Sequence, residues 1–228
     1  MDPLHAVEQE TGPAPGWTVL WLHGLGADGH DFAPIVPELV RPGWPALRFV
    51  FPHAPVRAVT INNGMRMRAW YDIRDFSAEE LAGGDRADSG GVLESVAQVE
   101  ALIERERERG MAAGRVVLAG FSQGGAIALA AGIRRSSPLA GLVALSTYLP
   151  MATRAREDLQ PQAVRQPLFM AHGDQDPVVP PRAGERSAQL LRELGFDMEW
   201  HRYPMAHAVC ADEIRDLGDW LERRFAAG

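Results

Sequence analysis

The chain is poor in cysteine: its 228 residues include one, Cys210. A single thiol cannot close an internal disulfide, so nothing in the sequence calls for an oxidising compartment. It has no H-E-x-x-H signature and no paired Cys/His spacing, and its seven histidines are scattered, so no metal is expected. The glycines at 24, 26 and 29 after the first strand read as a loop and open no helix, which removes the case for a dinucleotide; the expectation is a protein without cofactors. No apolar run approaches the ~20 residues of a membrane helix. The opening stretch, MDPLHAVEQETGPAPG, lacks the basic and apolar regions of a signal peptide. These absences predict a cytoplasmic protein without stable membrane insertion. Positive charge is also short: 23 Lys and Arg stand against 30 Asp and Glu, a net charge of -7. A chain this acidic is a poor match for nucleic acid.

What is present is a core. Hydrophobic residues make up 46% of the sequence, and the length suits one domain. Residues 1–16 read as a flexible N-terminal segment and 17–228 as the domain. Apolar, β-rich runs recur at 17–22, 47–51, 115–120, 142–145, 168–172 and 198–202. Helical patterns fall between them, at about 31–39, 88–109, after Ser122 to about Arg135, at 181–194 and at 212–225. Alternation of this kind predicts an α/β fold: a mostly parallel central sheet with helices on both faces. Only about 20 residues, Ser146 to Pro167, separate the fourth and fifth strands, too few for a large cap domain.

Gly120-Phe121-Ser122-Gln123-Gly124 fits G-x-S-x-G between a buried strand and a helix. A sharp strand-to-helix turn exposes the serine and needs small residues two before and two after it. Serine is a weak nucleophile without a base, and in this kind of sheet the acid and then the histidine follow it in the chain. The loop His172-Gly-Asp-Gln-Asp-Pro-Val-Val-Pro180 offers Asp174 and Asp176. Asp176 is read as the acid because Pro177 fixes the chain beside it; Asp174 is read as a turn former. Of the later histidines, His201 lies in a strand, and His207 lies in the loop before the last helix, where a base belongs. The oxyanion needs backbone donors: the amide of Gln123, and that of Leu25 in His23-Gly24-Leu25-Gly26. His23 is read as a residue that holds this loop, and Cys210 as a small buried hydrophobe.

Taken together, WLHGLGADGHDF, FPHAP, MRAWYDI, LAGFSQGGAIAL, HGDQDPVVP and YPMAHAVC resemble the bacterial carboxylesterase and acyl-protein thioesterase family, the phospholipase/carboxylesterases. The resemblance runs from about Trp21 to Cys210. It implies a compact α/β-hydrolase whose triad is Ser122, Asp176 and His207, with Leu25 and Gln123 as oxyanion donors. It also implies that Trp70, with Met65 and Met67 beside it, lines the acyl groove, and it allows a homodimer. The expected activity is hydrolysis of short-to-medium-chain carboxylic esters, with acyl-protein thioesterase or lysophospholipase as the alternative and a non-catalytic binder as the remaining one. The expected partner is therefore a small-molecule ester or thioester. One departure stands out: where the family has Gly-His-Ser, this chain has Ala206-His207-Ala208.

Overall fold

The computed structural model describes residues 4–75 and 88–227. Its centre is a seven-stranded sheet. The strands are Ala6–Glu10 (β1), Trp17–Leu22 (β2), Leu47–Pro52 (β3), Val116–Phe121 (β6), Gly141–Leu145 (β7), Leu168–Gly173 (β8) and Met198–Tyr203 (β9), in the order β1-β3-β2-β6-β7-β8-β9. All neighbours pair in parallel except β1, which runs antiparallel to β3 with Ala6 opposite Pro52. A separate antiparallel hairpin joins Val56–Val59 (β4) to Met65–Arg68 (β5).

The strands are apolar on both faces because helices cover both. In β2, Leu20 and Leu22 enter one core while Val19 and Trp21 enter the other. β6 and β8 divide in the same way, with Leu118 and Met170 on one side and Val117 and Phe169 on the other. The first core is closed by helices Ser89–Glu108 (α2), Gln123–Ile133 (α3) and Pro181–Glu193 (α5). The second is closed by Val36–Leu39 (α1) and Ala211–Ala227 (α6), with Trp220 at its centre. Each large side chain buried this way stabilises the fold by roughly 1.5–3 kcal/mol relative to exposure. α3 is buried along its whole length because it lies between α2 and the sheet. The start of α2 is capped by Asp88, whose carboxylate accepts the Gly91 N–H at 2.8 Å, and Gly110 ends it at φ 90°.

Two expectations are corrected. The segment 1–16 is not wholly flexible: Ala6–Glu10 pair along β3 as an edge strand, although residues 1–3 lie outside the described residues. The helix expected at 31–39 shrinks to a short turn at Ala33–Ile35 followed by α1, with a proline in each. Between β7 and β8 lie only short helical turns and Ala155–Asp158 (α4), so among the described residues no cap stands over the sheet. Among the described residues no helix is long and apolar enough to cross a membrane.

The chain leaves β2 towards β3 on one side, and leaves β6 towards β7, β8 and β9 on the other. The winding reverses between β2 and β6, so the loops at their carboxyl ends part and open a crevice there.

Candidate active site

Ser122 stands in that crevice, between β6 and α3, at φ 52° and ψ -119°. Glycines on either side make the turn possible. A Cβ on Gly120 would lie 2.4 Å from the Gly124 carbonyl, and one on Gly124 would lie 2.3 Å from the Leu22 carbonyl oxygen. Both distances are shorter than contact allows, so these two positions must be glycine.

Three side chains from separate loops then meet. His207 Nε2 lies 2.8 Å from Ser122 Oγ, and His207 Nδ1 lies 2.7 Å from Asp176 Oδ2. With Nδ1–H donating to the carboxylate, Nε2 is free to accept the serine proton. The other oxygen, Asp176 Oδ1, accepts the N–H groups of Val178 at 2.8 Å and Val179 at 2.9 Å. Burial would raise this carboxyl, but hydrogen bonds from His172, His207 and Val178 outweigh it and hold Asp176 well below the usual carboxylate range. Asp174 turns outward to Arg202, whose Nε donates to it at 2.6 Å. His201 stacks on Phe169, with ring centroids 4.8 Å apart.

The loop after β2 closes the other side of the serine. A Cβ on Gly24 would come within 3.5 Å of Ser122 Cβ, so the loop packs directly on the turn. His23 holds it: Nδ1–H donates to the Gly24 carbonyl at 2.7 Å, and Nε2 accepts the Ala54 N–H at 3.0 Å. Both ring nitrogens are engaged as the neutral form requires. Burial pushes the ring down to about 4, against smaller raising effects from the Gly24 carbonyl and Asp28. Among the described residues the N–H groups of Leu25 and Gln123 make no hydrogen bond within the protein. Gln123 opens α3, where a helix leaves its first amides free. Two unpaired donors beside a serine hydroxyl form the kind of site that stabilises a developing oxyanion.

Two expected groove residues are placed elsewhere. Trp70 is fully buried, donating from its indole N–H to the His23 carbonyl at 2.9 Å, with its backbone N–H on Gln123 Oε1 at 2.8 Å. It is a strut beneath the glycine loop, because Gln123 draws the 70–71 backbone inward; Gln123 Nε2 also donates to the Tyr71 carbonyl at 2.8 Å. Met65 sits at the outer end of the β4–β5 hairpin, 65% exposed, opposite Val59. Met67 is the methionine that reaches the glycine loop, with its sulfur 3.7 Å from where a Gly26 Cβ would be. The groove of about 260 Å³ above Ser122 is walled instead by Leu25, Ala27, Ile73 and Val178.

His172 has a part that the sequence reading missed. It is buried at the end of β8, and its Nε2 lies 3.0 Å from the Val179 carbonyl and 3.3 Å from Asp176 Oδ2. It thereby clamps the acid loop. The one signal for it was its place at the head of that loop. The Ala206-His207-Ala208 departure proves local. Both alanines are exposed, and Ala206 is not among the non-glycine residues of positive φ, so its methyl adds no strain. Cys210 is half-buried against the second core.

One group among the described residues has metal-ligand composition: Asp28, His30 and His53 bring three donor atoms within 4.8 Å of one another. Its hydrogen bonding speaks for a loop lock. His53 Nδ1 accepts the Gly29 N–H at 3.0 Å, which leaves the ring proton on Nε2, and Asp28 accepts the His30 N–H at 2.8 Å.

Comparison with known proteins gives the chain its family. The sequence model of the phospholipase/carboxylesterase family matches residues 4–224. An acyl-protein thioesterase 1 of Neurospora crassa is 40% identical over 213 residues, covering 91% of this chain and 86% of its own length. One from Mycosarcoma maydis is 37% identical, covering 95% of both chains. The crystal structure of SOBER1 from Arabidopsis thaliana superimposes with a TM-score of 0.83 at 32% identity, covering 91% of this chain and 98% of that one. Both thioesterases named here are fungal, so the bacterial part of the expected resemblance is set aside. With its family model matched almost end to end, the chain belongs to the phospholipase/carboxylesterase family of α/β-hydrolases and is an ester hydrolase.

Proposed function

We propose that this protein is an acyl-protein thioesterase, cleaving acyl thioesters through a covalent intermediate on Ser122. The observation that carries the reading is the unbroken line Asp176–His207–Ser122, with contacts of 2.7 and 2.8 Å, set beneath an apolar groove. The names borne by the fungal relatives favour the thioester over the short-to-medium-chain ester expected from sequence.

In the first half-reaction Ser122 Oγ forms a bond to the acyl carbon while its proton passes to His207 Nε2. The carbonyl oxygen, now negative, is held by the Leu25 and Gln123 amides. The bond to the leaving sulfur or oxygen then breaks, and the proton on Nε2 goes to the departing atom. In the second half, water gives a proton to His207 and its oxygen to the acyl carbon; the carboxylic acid leaves and Ser122 recovers its proton. A thiol has a pKa of about 8.5, so a thiolate departs with little help from the acid. An alkoxide needs that help more. The site therefore serves thioesters with less demand on the placement of His207.

The test is a matched pair, an S-acyl cysteine peptide and its O-acyl serine analogue, with a fluorophosphonate probe alongside. Rapid labelling of Ser122 and preference for the thioester are expected, and Ser122→Ala should lower turnover by roughly 10³-fold or more. Wild-type turnover by that variant would refute the mechanism.

A further inference from the structure

A second groove, of about 400 Å³, lies beyond His207. Phe32, Pro34, Ile35, Val209 and Ile214 give it an apolar floor. It shares Asp31, Phe121 and His207 with the groove over Ser122 and contains neither the serine nor the glycine loop. The proposed chemistry tells the two apart. His207 Nε2 has to protonate the leaving atom, so the leaving group departs on the histidine side, into the second groove. The acyl chain keeps to the first, where Leu25, Ile73 and Val178 stand by the serine.

The charges in this place are one-sided. Asp31 stands where the grooves meet, and Glu38 lies in the second. Both are exposed, and among the described residues neither carboxylate has a side-chain hydrogen bond or ion pair. Among the described residues no arginine lines either groove; Arg41 and Arg215, which border an adjoining hollow with Glu38, are taken up by Asp219 and Asp212. The chain as a whole carries -7. Two unpaired anions over an apolar floor focus a negative potential on the leaving group.

We propose that the second groove is the leaving-group subsite, and that Asp31, backed by Glu38, selects leaving groups bearing a positive charge close to the scissile bond. The assignment rests on the hydrolase reading of Ser122 and His207. It commits to a cationic thiol or alcohol and disfavours an anionic one.

The test holds the acyl chain and the shape constant and changes only the charge. Butyrylthiocholine is compared with S-(3,3-dimethylbutyl) thiobutyrate, its neutral carbon isostere, and p-nitrophenyl butyrate reports activity as such. The quantity read is the ratio of kcat/KM, cation over isostere. An Asp31→Asn, Glu38→Gln double variant supplies the ratio due to intrinsic reactivity. The wild-type ratio should exceed it by about fivefold at low ionic strength, the scale of a weakly screened surface charge pair. The wild-type rate on the cation should fall with added salt while that on the isostere does not, since the Debye length shortens. This salt arm stands even if the variant fails to fold. Equal ratios in the two proteins, or salt curves that run together, would overturn the proposal while leaving the hydrolase reading intact. Failure of the wild type to turn over any of the three esters would overturn both.

Discussion

Glu213 should make this protein less stable as pH rises from acid to neutral, and its removal should show by how much. The residue lies in the first turn of α6, fully buried, and neither carboxylate oxygen has a hydrogen-bond partner. The Cys210 amide acts weakly against the shift without reaching hydrogen-bond geometry, and burial pushes the carboxyl up to about 8. Tyr203 faces it from β9, and the Tyr203 hydroxyl is already committed to Asp216 at 2.9 Å. The sign follows from the two states. Below the ordinary glutamate value of about 4.5, folded and unfolded chains both hold the proton and Glu213 adds no pH dependence. Between there and about 8 the unfolded chain releases the proton while the folded chain keeps it, so stability falls with rising pH. The slope is about 1.36 kcal/mol per pH unit, giving roughly 3 kcal/mol at pH 7 and about 5 as a ceiling above pH 8. Glu213→Gln has the shape of the protonated acid and no titration. Urea denaturation of both proteins at stepped pH should give a stability difference near zero in acid and growing in favour of the glutamine towards pH 8. All other titrating groups cancel in the difference. A constant difference across that range would mean that water reaches the carboxylate in the folded state, and the burial argument would fail.

Three further outcomes follow from the site. Ser122→Gly should abolish turnover yet raise stability by roughly 1 kcal/mol, because glycine adopts φ 52° without the ~1–3 kcal/mol strain of a side chain and loses some of that gain to its freer unfolded state; thermal melting decides the sign. Gly124→Ala should destabilise by roughly 1–3 kcal/mol or more and lower activity, since its methyl meets the Leu22 and His23 carbonyl oxygens at 2.3 and 2.5 Å and must drive α3 away from the glycine loop. His172→Leu should reduce kcat about tenfold with KM little changed, the scale of losing support for a first-rank group; an unchanged kcat would show that the two valine amides suffice to hold Asp176.

Legibility in the sequence followed the range of the forces involved. The turn at Ser122 was readable because its demands are local: a side chain at Gly120 would collide with Gly124 four residues on. Asp176 was preferred to Asp174 for a local reason, Pro177 beside it, and two of the bonds on its carboxylate, from Val178 and Val179, are equally local. Where a partner is remote, the reading failed. Trp70 beside two methionines reads as a groove wall, and it is the side chains of Gln123 and Ser95, 53 and 25 residues away, that hold its backbone inside. β1 reads AVEQE, half polar and followed by a proline- and glycine-rich stretch, because an edge strand buries little and is fixed by the pairing β3 offers. The second groove was equally out of reach, since it joins α1 and its preceding turn to the His207 loop and α6.

The strain at the serine is sustained by the sheet. Ser122 and Ser146 follow the ends of neighbouring strands, and both have positive φ, at 52° and 47°. Left free, each would relax. Each instead continues the hydrogen-bond ladder one residue past its strand: Ser122 N–H donates to Leu145 at 2.9 Å, and Ser146 N–H donates to Ala171 at 2.8 Å. Thr147 closes the step, its hydroxyl donating to the Ser122 carbonyl at 2.6 Å. The three strands β6, β7 and β8 therefore pass one restraint sideways, from the acid-bearing loop to the serine. Parallel strands buried on both faces resist bending, and a ladder that outlasts them makes the turn as rigid as the sheet. That is why three side chains from loops 31 and 85 residues apart can meet at hydrogen-bond distance without a cap domain to press them together.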